Sequence, residues 1–112
     1  MALIYKILRA EEWAELEAKG ETQGAPIDIQ DGYIHFSTAE TVEETAQKYF
    51  ENVDGLKLLA YEDDTFGEAL IYEPSRGGLL FPHLYAPLPL SLAIWIKDLP
   101  IEGGKHVFPE GL

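Results

Sequence analysis

At 112 residues, 46% apolar and 25% charged, the chain is long enough to build one hydrophobic core and too short for two, so a single domain over residues 1–112 is expected. With 20 acidic against 8 basic residues the net charge is −12, a field that repels polyanions and argues against sequence-independent nucleic-acid binding. The absence of cysteine rules out a disulfide framework, a thiolate nucleophile and cysteine-ligated zinc, and leaves the redox compartment unread.

The N-terminal stretch "MALIYKILRAEEW" lacks the basic start, long apolar middle and small-residue cleavage site of an export signal, so cytoplasm is the expected location. Within it, "ALIYKILR" alternates Leu3, Tyr5 and Ile7 against Ile4, Lys6 and Leu8, the pattern of a strand covered on both faces. "AEEWAELEAKG" reads as a short helix, acidic at its start, with Lys19 in the last turn, Gly20 as terminator, and Trp13 and Leu16 facing inward. Residues 21–30, carrying Gly24, Pro26 and Asp28, read as a loop, and "DGYIHFS" begins a strand after a turn at Asp31-Gly32.

Ser37, with Glu40 three residues on, fits a capping box for the helix "TAETVEETAQKYF", whose Val42, Ala46, Tyr49 and Phe50 recur at helical spacing. Strands follow at 56–62 and 68–74, then the Arg76-Gly77-Gly78 turn, the proline-interrupted "LLFPHLYAPLPL", and a closing strand "SLAIWIKDL". Pro82, Pro87 and Pro89 break the apolar run 78–96, which reads as core rather than a membrane span, and the tail from Pro100 reads as irregular. The fold class is α+β, a mixed, largely antiparallel sheet with two main helices.

Two short units draw the eye. In "DGYIHFST", strand alternation places Ile34 and Phe36 on one face and Tyr33, His35 and Ser37 on the other; in "FPHLY", Phe81, His83 and Tyr85 share a face. Each histidine stands two residues from an aromatic ring. A functional histidine at the end of a strand, flanked by Tyr33 and Ser37, competes with a packed one satisfied by hydrogen bonds. "YEPSRGGLLFPHLY" adds Glu73, Ser75 and Arg76 around a Gly-Gly turn, which reads either as an anion seat or as a tight hairpin. His35, His83, His106, Asp28 and Asp31 form no metal-ligand motif, and Ser37, Ser75 and Ser91 sit in no nucleophile elbow, so no metal site and no serine hydrolase are expected.

From "IYKI" and Trp13 through "DGYIHFST" and the Tyr49-Phe50 pair to "FPHLYAPL", the chain resembles the domain-of-unknown-function family numbered 952. That family looks like a compact relative of the ADP-ribosyltransferase-like fold, nearest to the NAD-using tRNA 2'-phosphotransferase group. The resemblance implies a first strand, a helix ending at a glycine, a strand of the V-H-L-S type matched here by "IHFS", and a second helix. The cofactor is otherwise unread; the resemblance implies NAD as a candidate and His35 as a holder of ribose or pyrophosphate. In the first strand, Tyr5-Lys6-Ile7-Leu8 stands where those relatives carry Y-H-G-T.

The expectation is therefore an NAD- or nucleotide-related transferase or hydrolase. His35, Glu73 and Tyr85 would serve the chemistry, with Tyr5, Lys6, Tyr33, Ser37, Arg76 and His83 around a small-molecule ligand. The alternatives are a non-catalytic module that holds a small molecule or peptide in the same aromatic face, and a structural protein with packed histidines.

Overall fold

A computed structural model describes residues 2–112, apart from the side chain of Arg76, so the anion-binding role expected of that side chain lies outside the described residues. Strand β1 (Leu3–Leu8) pairs antiparallel with β4 (Leu56–Glu62), Leu3 opposite Glu62 and Leu8 opposite Lys57, and β4 pairs antiparallel with β8 (Trp95–Leu99). A second three-stranded sheet has the order β3 (Ile34–His35), β6 (Leu80–Leu84), β5 (Leu70–Pro74), again antiparallel. The sheets touch at an antiparallel bridge in which Tyr5 N–H donates to the Ser37 carbonyl and Ser37 N–H to the Tyr5 carbonyl, both at 2.8 Å.

The doubly apolar pattern of β1 and β4 follows from burial on both faces. Ile4, Leu8, Leu59 and Tyr61 enter one core cluster with Leu16, Ile34, Phe36, Leu84 and Leu88. Tyr5, Ile7, Leu58 and Ala60 enter another with Val42, Ala46, Leu56 and Leu99. Helix α1 (Ala10–Lys19) covers the first with Leu16, and α3 (Val42–Tyr49) covers the second with Val42 and Ala46. A fully buried leucine such as Leu16 contributes about 1.5–3 kcal/mol over an exposed one. At the start of α1, Glu12 accepts the Arg9 backbone N–H, and Gly20 closes the helix in the left-handed conformation with its N–H on Leu16 O at 2.8 Å.

Several expected elements differ. Residues 21–30 are not a loop: β2 (Glu21–Thr22) pairs with β7 (Leu88–Pro89), and α2 (Pro26–Asp31) follows, with Pro26 in its first turn and Gly32 capping its end. Ser37 caps no helix, because its backbone is committed to Tyr5; Thr38 and Thr41 form the turn that enters α3 instead. The strand expected from Asp31 is reduced to Ile34–His35 plus the Ser37 bridge, since Asp31 ends α2. Residues 63–69 form a 3-10 segment before β5, Leu90–Leu92 another before β8, and the tail makes a small hairpin of β9 (Ile101–Glu102) and β10 (Lys105–His106).

The apolar run 78–96 divides. Phe81, Leu84 and Leu88 are core, whereas Leu79, Leu80, Leu92 and Ile94 are exposed. Among the described residues no helix is long and apolar enough to cross a membrane.

Gly24 tests how tightly α2 is seated. It has φ +95, and a Cβ there would collide with the Asp28 side chain, whereas Gly20, at φ +79, has open space around it. Ala at position 20 should cost about 1–2 kcal/mol of left-handed strain alone, and Gly24→Ala clearly more, read as the midpoint shift in urea unfolding. Equal costs at the two positions would contradict the seating of Asp28 against Gly24.

Candidate functional site

Asp28 is the centre of the site and is 1% exposed. As the third residue of α2 it accepts the Ala25 backbone N–H on Oδ2 at 2.8 Å, the capping arrangement that begins the helix. The same oxygen takes Lys6 Nζ at 2.8 Å. Oδ1 takes the His35 backbone N–H at 3.0 Å and His35 Nδ1 at 2.6 Å. Four donors thus match the four lone-pair positions of a carboxylate. Burial by itself raises the Asp28 pKa, but the His35 hydrogen bond and the charge and hydrogen bond of Lys6 outweigh it and hold the carboxyl well below the usual range.

Lys6, also buried, gives a second hydrogen bond to the His35 carbonyl at 2.9 Å. It is therefore committed to the protein through two of its three N–H groups, not an open phosphate anchor. His35 meets Asp31 Oδ2 through Nε2 at 3.0 Å, so both ring nitrogens face carboxylates. Its orientation is fixed at both ends.

The pairing of β3 with β6 sets His35 directly opposite His83, with ring centroids 5.5 Å apart. Tyr33 packs over both, 4.1 Å from His83 in a stacked arrangement and 4.6 Å from His35, and lies 5.2 Å from Tyr85. Burial, then the charges of Asp31, Glu73 and Asp28, push the Tyr33 phenol up.

His83 has different partners. Its Nδ1 lies 2.7 Å from Glu73 Oε1, and the same oxygen accepts the Tyr85 hydroxyl at 2.7 Å. The hydrogen bonds from Tyr85 and His83 lower the Glu73 pKa, and the Tyr85 phenol is pushed up to about 12 by its bond to Glu73. His83 Nε2 has no hydrogen-bond partner among the described residues.

These side chains line a cavity of about 560 Å³ at the seam between the two sheets. Tyr5, Lys6 and Ile7 of β1 form one wall, Tyr33, His35 and Ser37 with Phe81 and His83 another, and Asp28 and Asp31 of α2 the base of the acidic end. Arg9, Ile27, Tyr49 and Phe50 also border it, with the Arg9 guanidinium 4.8 Å from the centre of the Phe50 ring and 3.5 Å from Glu12. Glu73 stands behind His83 outside this lining, and Tyr85 borders a smaller cavity of about 390 Å³ across Tyr33.

Of the residues singled out in the sequence, Tyr5, Lys6, Tyr33, His35, Ser37 and His83 line one cavity, and Glu73 and Tyr85 join it through His83. Ser37 Oγ donates to Thr45 Oγ1 at 3.1 Å. Tyr5 is 2% exposed, and burial raises its phenol. The Gly77-Gly78 segment is a hairpin turn between β5 and β6, in which Gly78 N–H bonds Ser75 O at 3.0 Å. His106 bonds Val53 O at 2.9 Å and does not line the cavity.

Asp28 and Asp31 were not among the expected site residues, although "APIDIQDG" carried their signal. Pro26, Asp28 and Gly32 are spaced as the first turn, the capping acid and the terminator of a short helix.

A family model described as "Protein of unknown function (DUF952)" matches residues 7–96. The chain belongs to the DUF952 family. Three experimental structures of protein CC0527 from Caulobacter crescentus are similar to this DUF952 chain, each at 44% identity. The crystal structure covers 94% of this chain and 93% of its own, with a TM-score of 0.90, and so does a crystal structure of a double mutant of the same protein. The solution NMR structure covers 95% and 91%, with a TM-score of 0.84. No curated protein matches the chain.

Asp28→Asn should destabilise the protein by about 3–5 kcal/mol, because it leaves Lys6 buried without its counter-charge. Since the folded pKa of Asp28 is depressed, its contribution is complete above the unfolded value of about 3.9. It is lost as pH falls through the folded value. Denaturant melts below about pH 4 should show wild type losing stability more steeply than Asp28→Asn. Parallel pH profiles would contradict this.

Proposed function

We propose that the cleft binds a nucleotide-class small molecule, NAD among the candidates, and that the protein acts on it as a transferase or hydrolase. The observation that carries this reading is the seam cavity itself. Its volume of about 560 Å³ falls within the range of about 300–1,000 Å³ typical of small-molecule sites, and its lining combines aromatic rings with a few polar groups.

The order of elements supports the ADP-ribosyltransferase-like reading. β1 leads to α1 ending at Gly20, "IHFS" supplies β3 and the bridge to β1, and α3 follows. The charge distribution within the cleft fits such a ligand in one orientation. A ring, above all a cationic one, would lie on Tyr33 near Asp31. Phosphate would lie at Arg9, whose guanidinium also faces Glu12 at 3.5 Å. His35, held at both nitrogens, would position the ligand rather than exchange a proton with it.

That clamping also favours a second reading, a recognition module without chemistry. His35 and Lys6 form a preorganised wall whose polar groups are largely committed to one another.

A thermal-shift panel of NAD, ADP-ribose, mononucleotides and phosphorylated sugars tests binding. A ligand at 100 times its dissociation constant should add about 2.7 kcal/mol of stability, and Tyr33→Leu should abolish the shift. Release of nicotinamide from bound NAD would separate the enzyme from the module. Silence with every nucleotide would overturn the ligand class.

A further inference from the structure

We propose that His83 is a general base in this cleft, with Glu73 as its positioning residue, and that it activates a hydroxylic nucleophile, either water or an alcohol. The proposal deepens the reading of the cleft as a catalytic site and rests on that reading for its substrate, though not for the state of His83 itself.

The two imidazoles lie opposite each other in the same ladder yet differ in what their nitrogens meet. His35 has a carboxylate at each, Asp28 at 2.6 Å and Asp31 at 3.0 Å. His83 has one, Glu73, at Nδ1. An ionised carboxylate only accepts, so Nδ1 carries the proton and the neutral ring presents a lone pair at Nε2.

No buried side-chain nitrogen or oxygen among the described residues lacks a partner. The unpartnered Nε2 is therefore reached by solvent, although the residue as a whole is 3% exposed, and the ring lines the cavity. Tyr33, stacked at 4.1 Å, covers a face of the ring, and the His35 ring lies 5.5 Å from it in an edge arrangement. Glu73 is itself held by the Tyr85 hydroxyl at 2.7 Å, which limits its rotation away from Nδ1. A carboxylate orienting a base whose far nitrogen is open is the arrangement required for proton abstraction.

In the step this performs, Nε2 takes the proton of the water or alcohol as its oxygen forms a bond to an electrophilic carbon of the bound ligand. The bond from that carbon to the leaving group breaks, and its electron pair departs with the leaving group. The imidazolium, stabilised by Glu73, then returns its proton to the leaving group or to solvent.

The test uses the intact protein. Imidazole ¹⁵N–¹H NMR should show neutral His83 protonated at Nδ1 and bare at Nε2, with Glu73→Gln losing that preference while the backbone spectrum stays folded. Diethyl pyrocarbonate, which acylates an unprotonated imidazole nitrogen, should modify His83 at least tenfold faster than the more exposed His35, as resolved by peptide mass spectrometry. Modification governed by exposure alone would give the reverse order. His83 protonated at Nε2, or modified no faster than His35, would overturn the proposal.

Adding NAD or ADP-ribose to the modification separates the two readings. A reactive His83 that neither ligand protects keeps the base and removes the nucleotide reading. An inert His83 in a protein that binds NAD removes the base and keeps the cleft.

Discussion

A carboxylate sealed from water is tolerated only where every lone pair is met, and Asp28 imposes that requirement on three separate parts of the chain. It draws the Lys6 ammonium inward from β1, it begins α2 by capping Ala25, and it fixes both the backbone and the ring of His35. Lys6 then bonds the His35 carbonyl, closing a ring of Asp28, Lys6 and His35. An apolar side chain at position 6 or 28 would leave the other residue buried without its counter-charge. The wall of the cleft is thus specified by electrostatics rather than by hydrocarbon packing.

Sheet register supplies the other half. Antiparallel pairing of β3 with β6 lays Tyr33-Ile34-His35 alongside His83-Leu84-Tyr85 in reverse order, sending Ile34 and Leu84 into the core and Tyr33, His35 and His83 to the cleft. Two imidazoles with the same backbone environment acquire different chemistry from their second neighbours. Asp28 and Asp31 meet both nitrogens of one, while Glu73 meets a single nitrogen of the other.

What the sequence disclosed follows the range of the forces involved. Alternation made β1 and the in-and-out faces of Ile34, His35 and Phe36 legible, and Gly20 marked the end of α1 correctly, because these are local properties. Helix α2 escaped because its six residues are too few for a helical period and Ile27 and Ile29 lie exposed, so only its Pro and Gly punctuation announced it. Ser37 carried a sound local capping signal, which lost to a tertiary bridge with Tyr5 in the other sheet. The contacts of Asp28 with Lys6 and of Glu73 with His83 join separate elements of the fold, and no local pattern encodes them.

A double-mutant cycle between Lys6 and Asp28, using Lys6→Met, Asp28→Asn and the pair, measures the central interaction most directly. If the buried ion pair organises the cleft, the single changes should be strongly non-additive, with a coupling energy of about 1.5–3 kcal/mol in denaturant melts at neutral pH. Additive losses, within about 0.5 kcal/mol, would show that the two side chains act independently and would contradict the account.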